Sequence, residues 1–153
     1  MEIRVVRPND LSQLRELCEE HAALEGATIA DRDLSAKWNS AFFGTPAQLV
    51  GWVCDEGDNR PDALTGYMTA SIRLSTWSAK PYLYLDCIYL RPEVRRSGMG
   101  RAMFGILTQF ARESGCKEIQ WQTLLSNEGG IAFYHSLGAV PTLQWSRWSL
   151  SVD

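Results

Sequence analysis

The sequence predicts a mixed α/β fold, with a central sheet and helices on both faces. Three observations predict it. Strand-like and helix-like segments follow one another in the order β-α-(α)-β-β-β-α-β-α-β. The apolar run Tyr82-Leu83-Tyr84-Leu85-Asp86-Cys87-Ile88-Tyr89-Leu90 reads as a buried strand. It leads through Arg95-Arg96-Ser97-Gly98-Met99-Gly100-Arg101 into Met103, Ile106, Leu107 and Phe110 at helical spacing.

In chain order, Ile3 to Arg7 reads as a short strand stopped by Pro8, and Asn9 or Asp10 can cap the helix that follows. Leu11, Leu14, Leu17 and Cys18 fall on one face of that helix, which ends near Gly26. A second short helix is expected from Asp31 to Trp38. Leu49 to Cys54 and Thr65 to Leu74 read as a hairpin around the polar turn Asp55–Asp62. After the strand at 82–90, Pro92 forbids simple continuation and holds Arg91 extended. A helix from about Gly98 to Glu113 stops at Gly115. Glu118 to Thr123 alternates as a strand does. Gly129 to Leu137 reads as a short helix closed by Gly138, and Leu143 to Leu150 as a last strand.

The 153 residues suffice for one hydrophobic core, and no repeat, low-complexity tract or long linker divides them. A single domain over 1–153 is expected. Apolar residues make up 45% and charged residues 22%, as in soluble domains. The net charge of −3 argues against a general nucleic-acid surface, although Arg91, Arg95, Arg96 and Arg101 form a local basic patch. No apolar run is long enough to span a bilayer, and the N-terminus lacks the apolar stretch of a signal peptide. The four cysteines, Cys18, Cys54, Cys87 and Cys116, are widely spaced, which favours reduced thiols in a cytoplasmic protein over zinc or disulfides. Cys87, beside the glycine loop, is either a nucleophile or a small strand residue.

A strand feeding a glycine-containing loop that opens a helix is a way of holding phosphate on main-chain N–H groups. Gly98 and Gly100 let the backbone approach a ligand. The first turn of the helix has N–H groups without intrahelical partners. Arg95, Arg96 and Arg101 add charge at the same point. The alternative is an ordinary tight turn. The Gly-Lys-Ser/Thr of a nucleotide loop is absent, and Met103 stands where a dinucleotide motif needs its third glycine.

The segment Leu85–Gly100 resembles the acetyl-CoA-binding segment of the GCN5-related N-acetyltransferases (GNAT). A second segment, Asn127-Glu128-Gly129-Gly130-Ile131-Ala132-Phe133-Tyr134 with Gly138-Ala139, resembles that family's later Asn…Ala-x-x-Phe-Tyr motif, at the matching separation. Leu24-Glu25, Tyr84-Leu85-Asp86 and Asn127-Glu128 are similar to the diamine/spermidine branch. That branch has a further acidic residue beyond Gly138-Ala139, where this chain has Gln144, Trp145 and Ser146.

The resemblance implies a fold with two central parallel strands, here 82–90 and 118–123, splayed apart. It implies acetyl-CoA as cosubstrate, held by Ile88, Tyr89 and Leu90 of the strand, by Arg95, Arg96, Ser97, Gly98, Met99, Gly100 and Arg101 of the loop, and by Asn127 and Phe133. It also implies an acceptor amine near Asp86, with Glu25 and Glu128 adding negative charge, and pairing of two copies through C-terminal strands.

An alkylammonium must lose a proton before it attacks a thioester. Asp86, the one charge in its apolar run, is the candidate to bind the ammonium and take the proton; the alternative is that it accepts main-chain or tyrosine hydrogen bonds. Tyr134, at the family's tyrosine position, is the candidate acid for the departing thiolate; the alternative is a core tyrosine. His21 and His135 read as surface or satisfied histidines. Trp38, Trp77, Trp121, Trp145 and Trp148 are candidates to wall an acceptor slot. The expected activity is N-acetylation of a small primary amine by direct attack, with no nucleic acid, membrane or metal involved. Acetylation of a protein lysine or N-terminus, and acetyl-CoA sensing without turnover, are the alternatives.

Overall fold

The computed structural model describes residues 1–57 and 63–152. The part of the expected polar turn from Asp58 to Asp62 lies outside the described residues. Two compact units are present, Met1–Gln122 and Thr123–Asp153.

The first unit is a five-stranded sheet in the order β1-β2-β3-β4-β5. Its strands are β1 (Glu2–Val5), β2 (Val50–Asp55), β3 (Leu64–Leu74), β4 (Pro81–Leu90) and β5 (Ile119–Gln120). All neighbours are antiparallel except β4 and β5. Helices α1 (Leu11–Leu24) and α2 (Leu34–Phe43) cover one face, and α3 (Met99–Glu113) covers the other.

Adjacent residues of β2 show the two faces, because side chains alternate along a strand. Val53 joins Leu11, Leu14, Leu17, Phe42, Tyr67 and Tyr89 in a buried cluster under α1 and α2. Trp52 points the other way and meets Phe110 of α3 edge to face, at 5.2 Å between ring centroids. Burying these large side chains supplies most of the drive to fold.

α1 presents Leu11, Leu14 and Leu17 to the core, as its spacing predicts. Its entry differs from expectation. Asp10 does not cap the helix with its side chain. The carboxylate is buried and accepts from the Arg7 N–H at 2.6 Å and the Arg4 guanidinium at 2.7 and 2.9 Å. An arginine that neutralises a buried acid outcompetes a capping bond. α2 begins at Leu34 and runs on to Phe43, beyond the expected end at Trp38, because Phe42 is drawn into the core.

Two strand expectations are corrected. Glu118 to Thr123 pairs only at Leu83↔Ile119 and Tyr84↔Gln120. β4 is bulged directly after Leu85, and a bulge bends a strand and increases its twist. The two strands therefore separate after two residues, and Trp121 packs on Phe104 of α3 instead. Leu143 to Leu150 forms no strand. Its alternation is strand-like, but a strand requires a neighbour to take its main-chain hydrogen bonds. No such ladder reaches it among the described residues, and Leu143, Trp145, Trp148 and Leu150 are exposed.

The second unit centres on α4 (Glu128–Ser136). Asn127 caps it, accepting from the Gly130 N–H at 3.1 Å and donating to Thr123 Oγ1 at 3.0 Å. A Cβ on Gly130 would collide with the Asn127 side chain, so the cap requires glycine there. Among the described residues, no helix is long and apolar enough to cross a membrane.

Candidate active site

β4 leaves the sheet at Leu90 and turns through a short 3-10 helix at Pro92–Val94. Arg95 is extended, Arg96 has φ of +60° and Gly98 has φ of +88°. Ser97 Oγ donates to the Val94 carbonyl at 2.7 Å and ties the loop together. α3 starts at Met99, and its first intrahelical bond runs from the Ala102 N–H to the Gly98 carbonyl. The N–H groups of Met99, Gly100 and Arg101 thus precede the first intrahelical donor and carry the positive end of the helix dipole. A Cβ at Gly98 would meet nothing within 4 Å, so glycine is required there for its left-handed backbone rather than for space.

The arginines divide by role. Arg91 grips Glu20 at 2.8 Å, and the Tyr89 hydroxyl donates to the same carboxylate at 3.2 Å. Arg91 therefore belongs to the fold, and Glu20 holds its guanidinium above its ordinary pKa. Arg95 donates from Nε to the Leu90 carbonyl at 2.8 Å and lies over the Tyr89 ring. Arg96 and Arg101 are exposed at the loop.

The β4 bulge places Asp86. Leu85 stands opposite Ala70 and Cys87 opposite Thr69, so Asp86 has no partner on β3. The sequence suggested an acid buried in an apolar strand; instead the bulge leaves Asp86 exposed. From Leu85 onward, β4 also has no partner on its β5 side among the described residues. An open strand edge and a carboxylate therefore occur together, immediately before the glycine loop.

Asp86 opens into a cavity of about 290 Å³ between the sheet and α1–α2. Tyr67, Thr69 and Cys87 line its sheet side, and Cys18, His21 and Glu25 its α1 side. Ile29, Trp38, Phe42 and Leu49 make the rest largely apolar. A larger hollow of about 520 Å³ lies by Trp77, Lys80 and Lys117. It is open and contains neither Asp86 nor the glycine loop, so chemistry selects the smaller cavity.

In the second unit, Asn127 and Glu128 start α4, and Phe133 and Tyr134 follow within it, their rings 5.8 Å apart.

The sequence model of the acetyltransferase (GNAT) family matches residues 10–139. The chain belongs to that family. It is an N-acetyltransferase by class, and the mixed sheet with its separating parallel strands is the GNAT fold. A thialysine N-epsilon-acetyltransferase of Caenorhabditis elegans is 27% identical over 152 residues, covering 96% of this chain and 88% of the relative. A Bos taurus protein of the same name is 27% identical over 143 residues, covering 92% and 82%. Among solved structures, one described as a probable acetyltransferase superposes with a TM-score of 0.80 at 22% identity, covering 100% of this chain and 99% of the other. An aminoglycoside acetyltransferase from an uncultured soil metagenomic sample, in complex with sisomicin, gives 0.78 at 18% identity, covering 99% and 96%.

Within this GNAT protein, the loop residues Arg95 to Arg101 adjoin the open edge of β4 that carries Ile88 and Leu90. Tyr89 is turned into the core, where its ring stacks on His21. Asp86 and Glu25 line one cavity. Of the five candidate tryptophans, Trp38 lines it, whereas Trp77, Trp145 and Trp148 are exposed. Cys87 lines it too, but burial, with Asp86 beside it, pushes its thiol up to about 12, which disfavours the thiolate that a nucleophile needs. Sequence reasoning missed Tyr67, Cys18 and His21 as cavity residues. The one available signal was Cys18 on the apolar face of α1, one turn before His21 and Ala22.

Proposed function

We propose that the protein transfers acetyl from acetyl-CoA to a primary amine of a small molecule, by direct attack and without an acyl-enzyme. The observation that carries this reading is the Asp86 bulge, which sets a carboxylate in an apolar cavity beside an unpaired strand edge.

The residues present suit the donor. Main-chain groups of Ile88 and Leu90 on the open edge would take the pantetheine arm as an added strand. The N–H groups from Arg96 to Arg101, with Arg95 opening the motif, would take the pyrophosphate. Asn127 and Phe133 would border the donor, and Tyr89 would contribute through its main chain. Bound acetyl-CoA supplies an activated acyl carbonyl and a thiolate leaving group.

Asp86 binds the ammonium and, directly or through a water, receives the proton that must leave before attack. Glu25 adds negative charge from α1, and Glu128 from α4. Tyr134 donates its phenolic proton to the departing sulfur. The family match at 10–139 runs across both units, which supports one domain over 1–153.

A cavity of about 290 Å³ suits a small amine rather than a peptide chain. Relatives named for thialysine and L-ornithine acetylation support a small acceptor. Reduced, spaced cysteines support a cytoplasmic protein, and the exposed Leu143, Trp145, Trp148 and Leu150 supply apolar surface for a homodimer. The test is a panel of small amines and lysine peptides with acetyl-CoA, following released thiol. Turnover of small amines is expected; turnover of peptides alone would sink the reading.

A further inference from the structure

His21 lies in the cavity, yet the proposed chemistry does not use it. It sits on α1 one turn before Glu25. Its Nδ1 is 2.8 Å from the Tyr67 hydroxyl, and its Nε2 is 3.3 Å from Glu25 Oε1. The ring stacks on Tyr89 at 5.3 Å between centroids, with 18° between planes. Tyr67 itself is buried, and the thiols of Cys18 and Cys87 also reach its hydroxyl.

The partners fix the tautomer. A thiol can donate to the Tyr67 oxygen, while the hydroxyl proton needs an acceptor, and thiol sulfur is a poor one. Nδ1 of His21 is the good acceptor. Its acceptance leaves the single imidazole proton on Nε2, directed at Glu25. Neutral His21 thus completes a chain from Tyr67 through the ring to Glu25. A second proton, on Nδ1, would face the Tyr67 hydroxyl and break that chain.

We propose that His21 is a positioning residue that sets the charge of the acceptor cavity. Neutral, it aims Glu25 as a second carboxylate alongside Asp86; protonated, it cancels one negative charge and turns away a cationic acceptor. This rests on the cavity being the amine site.

The groups facing His21 decide when the change occurs. Cys18 and Glu25 face it from α1, Tyr67 from β3, and Cys87 and Tyr89 from β4, with Asp86 on the same cavity wall and Arg95 beyond Tyr89. Burial lowers the imidazole below its ordinary value, Arg95 acts in the same direction, and Glu25 opposes both. The ring therefore charges only below its ordinary range, and its positive charge then offsets that of Glu25.

A fixed-charge probe isolates this from amine deprotonation. Butyltrimethylammonium cannot lose a proton, so its affinity reports cavity charge alone. By calorimetry, its affinity in the unaltered protein should fall about threefold from about pH 7.5 to a pH below the His21 titration midpoint that proton NMR reads. In His21→Gln, whose amide can still accept from Tyr67 and donate to Glu25, it should stay level. Proton NMR gives a second measurement without a variant at His21. The chain has two histidines, so His135→Gln assigns both resonances. Saturating probe should move the His21 titration midpoint to lower pH, by the same threefold in proton affinity. An equal fall in His21→Gln, or a His21 midpoint indifferent to the probe, would overturn the proposal while leaving the amine site standing. No binding at either pH would overturn the amine site and the proposal together.

Discussion

Leu85 and Cys87 face opposite sides of the sheet although they are two residues apart. Leu85 pairs with Ala70 and Cys87 with Thr69, adjacent residues on β3 whose side chains point in opposite directions. The inserted residue, Asp86, opens into the cavity proposed for the acceptor. Asp86→Asn removes the charge and keeps the shape. We expect the KM of a cationic amine to rise about tenfold, with a smaller change for an uncharged acceptor. Steady-state kinetics with a matched pair of acceptors would check it, and equal effects on both would count against an ammonium anchor.

Gly98 holds a left-handed backbone at the start of α3. Alanine fits the space but not the dihedral angle. Gly98→Ala should cost about 1–2 kcal/mol of stability. It should also weaken acetyl-CoA binding measured by calorimetry, because the loop N–H groups would be re-aimed. Retained affinity would remove the loop from the donor site.

Tyr134→Phe deletes one hydroxyl from α4. If that hydroxyl protonates the leaving thiolate, turnover should fall about 10²-fold or more while donor affinity stays near its original value. A wild-type kcat in the variant would return Tyr134 to the role of a packing residue.

The His21–Tyr67 bond links stability to pH. Burial lowers the folded-state pKa of His21, so between that value and about 6.5 the unfolded chain binds more protons than the folded one. Stability should therefore fall as pH drops below about 6.5 and should be constant above it. Urea midpoints across that range would show it, and His21→Gln should flatten the curve.

How much of this was legible in the sequence depends on the range over which each feature is fixed. α3 and its loop were legible because period, glycines and arginines act locally. The N-cap at Asn127 was not read from the sequence, which started that helix at Gly129. The short length of β5 was not legible, because it depends on where β4 bends. The bulge at Asp86 depends on how β3 and β4 register, and no single strand encodes that. Asp10 looked like a helix cap because its partner, Arg4, belongs to another element. The cavity was only half legible: Asp86 and Glu25 were named from motif similarity, whereas His21, Cys18 and Tyr67 come together only when α1 lies across β3 and β4.

The early parting of β4 and β5 has a consequence for how such a protein can change. On this side of the sheet the proposed donor would meet peptide groups, which are the same whatever side chains the strand carries. Substitutions at Ile88 and Leu90 could then accumulate with little effect on recognition of the proposed donor, provided the strand stays extended. The opposite wall, built from side chains in and around α1 and α2, has no such tolerance: each replacement at Glu25, Ile29, Trp38 or Phe42 alters the shape or charge of the cavity proposed for the acceptor. Drift in this chain would thus conserve what it donates and diversify what it modifies.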